Sequence, residues 1–111
     1  MADYFREYLC KEVQNKICGE RQDMYGNPED SFKMIATFWS AYLEIEISPS
    51  QAATMLELMK IARTKGQKFH MDNFIDGAGY AILAGELAGK ENYLPSPPIT
   101  PTGETNAESS E

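Results

Sequence analysis

The sequence predicts an all-α fold: a four-helix bundle-like domain over residues 1–94, followed by an extended or disordered acidic tail over 95–111. Three observations lead there. Apolar residues recur every three or four positions in four separate stretches. Each stretch is bounded by Asn, Ser, Pro or Gly in the positions where helices start and stop. No run alternates convincingly with the period of two that a half-buried strand requires.

The first helix is expected from about Asp3 to Cys18, with Phe5, Leu9, Val13 and Ile17 at four-residue spacing and Gly19 as its stop. The second opens at Asn27-Pro28-Glu29-Asp30, where Asn caps, Pro fits the first turn and two acids face the positive end of the dipole. It continues through Phe32, Ile35, Ala36, Trp39 and Leu43, with Phe38 and Tyr42 assigned to the core beside Trp39. Ser48-Pro49-Ser50-Gln51 reads as a capping box. It launches a third helix through Ala52, Met55, Leu56, Met59 and Ala62 to Gly66. The fourth begins near His70–Asp72 and runs to about Gly89, burying Phe74, Ile75, Ala78, Ile82 and Leu83. From Pro95 the chain is Pro, Ser, Thr and Glu with almost nothing to bury, a composition that does not fold alone.

A length of 111 residues allows one domain, and 42% apolar residues suffice for a packed core. A domain this small buries only about two-thirds of its unfolded surface, so self-association is expected to cover more. The net charge of −7 lacks the broad basic footprint of DNA or RNA binding, yet a local Lys/Arg cluster can still hold a small anion. The N-terminal stretch is charged where a signal peptide is apolar, and no apolar run approaches the ~20 residues of a membrane span. Cys10 and Cys18, eight apart in one helix, stand roughly 12 Å apart, too far for a disulfide. Two buried free thiols in a reducing cytoplasm are the expectation.

Three clusters carry chemistry. Asp72, Asn73 and Asp76 share a helix face, with Tyr80 one turn on. Two carboxylates so placed suit a divalent cation, and acids in a first helical turn also serve the dipole. Gly77 and Gly79 beside Asp76 leave room for a ligand. On the third helix Glu57, Lys60 and Arg63 share a face, where Lys60 and Arg63 suit a phosphate. The plainer reading there is a solvated stripe with a Glu57–Lys60 pair. The linker places Arg21 and Tyr25 before Gly26-Asn27-Pro28, an aromatic and a guanidinium able to stack on a base at a turn that needs glycine's positive φ. His70 reads as the start of a helix rather than a metal ligand. Gly77, Ala78, Gly79, Ala81, Ala84, Gly85, Ala88 and Gly89 form a small-residue stripe. Its use is close approach of another helix, from the same chain or from a second subunit.

As an ordered set, Arg21-x-x-x-Tyr25-Gly26-Asn27-Pro28, Phe32-x-x-Ile35-Ala36-x-x-Trp39-Ser40-Ala41-Tyr42-Leu43, Met59-Lys60-Ile61-Ala62-Arg63 and His70-x-Asp72-Asn73-x-x-Asp76-x-x-Gly79-Tyr80 resembles a small domain family of unassigned activity common in bacteriophage genomes. The resemblance spans about Glu20 to Glu86. More loosely, the helical arrangement is similar to the MazG-like all-α nucleoside triphosphate pyrophosphohydrolases, which hold Mg²⁺ on acids from two helices. Carried over by position, that family's E-x-x-D becomes Asn73-x-x-Asp76, with Asp72 as a substitute acid. Its E-E-x-x-E becomes Leu56-Glu57-x-x-Lys60. A lysine where a metal-binding carboxylate belongs lowers affinity for Mg²⁺ and raises it for phosphate.

The resemblance therefore implies a homo-oligomeric phage protein in the host-cell cytoplasm that binds a phosphorylated nucleotide without turnover and without a cofactor. Its ligand-binding residues are Arg21, Tyr25, Asn27, Lys60, Arg63, Asn73, Asp76 and Tyr80. Phages use such proteins to sequester the nucleotide signals of host immunity. The alternatives are a Mg²⁺-dependent pyrophosphohydrolase, with metal on Glu57, Asp72 and Asp76, and a helical interaction module without a nucleotide.

Overall fold

A computed structural model of the chain describes residues 2–19 and 26–93, all of them helix or short connection. The tail over 95–111, Arg21 and Tyr25 lie outside the described residues. The elements are α1 (Ala2–Cys18), α2 (Pro28–Leu43), α3 (Pro49–Ala62) and α4 (Met71–Asn92). Among the described residues there is no strand.

The helix starts follow the expected local chemistry. Gly26 takes φ 86°, and Asn27 then caps α2 by accepting from the Glu29 N–H at 2.9 Å. Ser48 and Gln51 close the reciprocal capping box of α3. The connection before it is held by the Ser40 hydroxyl, which accepts from the Ile47 N–H at 2.8 Å and reaches the Ile47 carbonyl at 3.2 Å. Helix α3 ends at Ala62 rather than Gly66, because the chain tightens into i→i+3 bonds from Thr64 to Ile61 and from Lys65 to Ala62. His70 occupies the N-cap of α4 without a side-chain cap.

Helices α3 and α4 form the central hairpin. Helix α1 lies on α4, and α2 lies on α3. The core is built from Phe32 and Ala36 of α2, Ile47, Ala52 and Ala53 at the start of α3, and Ala84 and Leu87 of α4. Tyr80 meets Phe32 edge-on at 6.3 Å.

Flanking helices bury one stripe each, and this corrects several expectations. Phe5, Phe38, Tyr42, Leu43, Phe74 and Ile82 are exposed, as is Ala78, and Trp39 is half-buried. Cys10 and Cys18 are exposed free thiols rather than buried ones: α1 packs chiefly on α4 and buries only the stripe that carries Val13. Among the described residues no large side chain is fully enclosed.

Candidate functional site

Asp76 projects from the second turn of α4 into the cleft between α1 and α3. Its Oδ1 accepts a hydrogen bond from Lys16 Nζ at 2.9 Å, and its Oδ2 faces Lys60 Nζ at 3.0 Å. The two neighbouring glycines make this convergence sterically feasible. A Cβ on Gly77 would sit 3.6 Å from Lys60 Cβ, and one on Gly79 would sit 3.2 Å from Ile17 Cγ2. The Gly77 distance is an ordinary contact, whereas Gly79 lets Ile17 of α1 come closer than a Cβ would comfortably allow. The space expected beside Asp76 remains as a groove that Asp76 and Gly79 both line.

Burial pushes the Asp76 carboxyl up. The hydrogen bonds and charges of Lys16 and Lys60 outweigh that, and the carboxyl ends below its ordinary range. Lys60 is the most enclosed member, its side chain only 13% exposed. Two ammoniums against one carboxylate leave one positive charge over.

The cleft continues as a groove of about 170 Å³ lined by Lys16, Ile17, Ile75, Asp76, Gly79, Tyr80 and Leu83. Ile17 and Leu83 also line a second cavity of about 180 Å³, which reaches Asn27, Glu29, Glu86 and Lys90. There Lys90 Nζ donates to Glu29 Oε1 at 2.9 Å and ties the end of α4 to the start of α2.

Of the residues singled out in sequence, Lys60 pairs with Asp76, and Asp76 and Tyr80 line the groove. Arg63 stands one turn beyond Lys60 on α3 and is exposed. Asn27 lines the second cavity, with its side-chain oxygen engaged in the α2 cap. Asn73 lies one turn before Asp76 and is 92% buried (8% exposed), yet among the described residues its side-chain amide makes no hydrogen bond. A buried unpartnered amide costs on the order of 1–3 kcal/mol, a penalty that a ligand's polar group would relieve.

Glu57, Asp72 and Asp76 do not converge. Asp72 is exposed in the first turn of α4, where it complements the dipole. Among the described residues no three acids, histidines or cysteines gather as a metal would need. Asp76 has an ammonium on each oxygen, so this donor set does not fit Mg²⁺, which demands several free oxygens. The expected Glu57–Lys60 surface pair gives way to Lys60–Asp76. Lys16 was not anticipated. Its one signal was a cation between Val13 and Ile17 on the buried stripe of α1, sixty residues from its partner.

This architecture is an all-helical domain with a cationic cleft under α1. The sequence profile of the DUF6378 family, described as a domain of unknown function, matches residues 7–88, and the chain belongs to that family. It is 51% identical over 75 residues to the Gene 55 protein of Mycobacterium phage D29, covering 68% of this chain and 50% of the phage protein. It is 41% identical over 84 residues to the Gene 55 protein of Mycobacterium phage L5, covering 73% and 54% respectively. The chain therefore spans about half the length of these relatives, which place it among bacteriophage proteins. No solved structure matches it significantly. Among the described residues no helix is long and apolar enough to cross a membrane.

Proposed function

We propose that the domain binds a phosphorylated nucleotide and does not turn it over. The observation that carries this reading is the Lys16–Asp76–Lys60 cluster, in which fixed ammoniums outnumber the carboxylate they meet. Lysine ammoniums held in a partly enclosed cleft attract phosphate oxygens even on an acidic protein. Arg63, exposed one turn beyond Lys60, adds a planar fork for the same oxygens in this reading.

At about 170 Å³ the first cavity takes a phosphate group rather than a whole nucleotide. The nucleoside extends over the apolar sides of Ile17 and Leu83 into the second cavity. Catalysis of the MazG-like type requires a metal on acids from two helices, and here the second helix contributes Lys60 in place of that acid. Sequestration of a nucleotide signal in an infected host is the role that fits a phage protein holding its ligand intact.

The test is incubation of the purified chain with a panel of mononucleotides, dinucleotides and cyclic nucleotides, with and without Mg²⁺. Binding followed by recovery of the unchanged nucleotide after heat denaturation supports the proposal. Release of pyrophosphate overturns it in favour of hydrolysis. Failure to bind any nucleotide would leave a helical interaction module.

A further inference from the structure

A hollow of about 450 Å³ shares no wall residue with the groove beside Asp76. Its apolar lining is Leu43, Ile45, Ile47 and Met55, with Ala84 and Ala88 from α4. Leu43, Ile45 and Met55 are 48%, 60% and 40% exposed, so most of this lining lies open among the described residues. The end of α4 is clasped to the same hollow. The Glu91 carboxylate accepts from the Ser50 N–H at 3.0 Å and from the Ser50 hydroxyl at 2.6 Å, and Ser50 is itself a lining residue. Helix α4 stops at Asn92, and residues 94–111 continue from beside that clasp.

We infer that the chain's own segment Leu94–Pro101 turns back and covers this hollow. Reach is the first argument. Ala84 lies nine residues before the Tyr93 cap, roughly 13.5 Å along α4 at 1.5 Å per residue. In the polyproline II form, at ~3.1 Å per residue, Leu94 to Ile99 spans roughly 15 Å, enough to pass Ala88 and arrive at Ala84. Composition is the second. Leu94-Pro-Ser-Pro-Pro-Ile99-Thr-Pro101 is uncharged and holds every large apolar side chain beyond Tyr93. The acids beyond it begin only at Glu104, so the docked stretch brings no charge against Glu46 of the hollow. Pro95, Pro98 and Pro101 recur every three residues, which is one face of such a helix. Four prolines in eight residues pre-set φ, so docking orders a segment with less backbone freedom to lose. They also carry no N–H, which leaves few donors to be stranded against an apolar lining. Tethering is the third. A short tether gives an effective concentration on the order of mM, so a contact too weak to hold a separate peptide is populated within one chain.

The experiment is NMR relaxation on the isotope-labelled full chain, with reductant present because Cys10 and Cys18 are exposed, and light scattering on the same samples. Backbone order parameters above ~0.6 are expected at Ser96, Ile99 and Thr100, against lower values from Thr105 onward. Ile99→Asp, outside the helices, should drop the first three below ~0.6 and shift the amide signals of Ile45, Met55 and Ala88. Met55→Glu should release the segment from the other side, with the helicity of the domain unchanged. Order parameters below ~0.6 at all three positions in the wild-type chain overturn the inference. So does an Ile99→Asp chain in which the signals of the hollow do not move. Order in the segment that appears only together with a dimer mass gives the hollow to a second copy and overturns it as well. Nucleotide binding enters none of these readouts, so the two proposals fail independently.

Discussion

Lys60 Nζ lies 3.0 Å from Asp76 Oδ2 across the α3–α4 hairpin, and this contact changes what the carboxylate can do. An acid facing an open cleft would collect a divalent cation. An acid sharing both oxygens with Lys60 and Lys16 instead holds two ammoniums in place, and their excess charge is available to an anion.

The first prediction concerns acid stability. The folded-state pKa of Asp76 lies below the ordinary value of 3.8: burial raises it, and the two lysines lower it by more. A depressed carboxylate contributes stability that is complete above the unfolded-state pKa and is lost as pH falls through the folded value. Asp76→Asn should therefore cost roughly 1.5–3 kcal/mol at neutral pH, the range of hydrogen bonds to charged groups. The gap between variant and wild type should close as pH drops below the ordinary Asp value. Thermal melts across that window check it, and a gap independent of pH contradicts it.

The second prediction separates two cations that the sequence treats alike. Arg63 is exposed and makes no ion pair among the described residues, so Arg63→Ala should cost ~1.5–3 kcal/mol of nucleotide affinity and leave the Tm unchanged. Lys60→Ala should lower both, because it also strips Asp76 of one partner. Paired melting curves and titrations decide between this pattern and two equivalent surface charges.

The third prediction concerns glycines of α4. Gly79→Ala places a methyl 3.2 Å from Ile17 Cγ2, so α1 must give way and the protein should lose stability. Gly85 faces open space, and Gly85→Ala should stabilise by about 0.5–1 kcal/mol through helix propensity alone. Denaturant unfolding of the two variants should move in opposite directions.

These outcomes show which parts of the molecule were legible in the sequence. Helix starts were, because Asn27, Ser48 and Gln51 act on backbone groups within three residues, and the structure shows those same bonds. Burial was legible only where a helix has neighbours on the apolar side. Phe38, Tyr42 and Phe74 carry the same periodicity as Phe32 and Ile75, yet periodicity gives a face without saying what covers it. In the site, the Lys60–Asp76 meeting follows from two helices joined by a short turn. Lys16 could not be placed, since nothing local relates α1 to α4. The glycines beside Asp76 suggested free space, and a groove lined by Asp76 and Gly79 lies there, with Ile17 of α1 drawn close over Gly79.

The fourth prediction follows from the cations at the site. Binding that relies on Lys16, Lys60 and Arg63 needs no metal bridge, so EDTA should leave affinity unchanged, and Mg²⁺ alone should not raise the Tm. Higher salt should weaken binding at the exposed Arg63 more than at the enclosed Lys60.

The most direct measurement is calorimetric titration of the nucleotide panel into the chain in EDTA, followed by chromatography of the ligand released on heating. Saturable binding is predicted, weakened by Lys16→Ala and Lys60→Ala, with the nucleotide recovered intact. Binding that EDTA abolishes, or pyrophosphate released once Mg²⁺ is restored, would contradict a lysine-held ligand and identify a metal-dependent hydrolase.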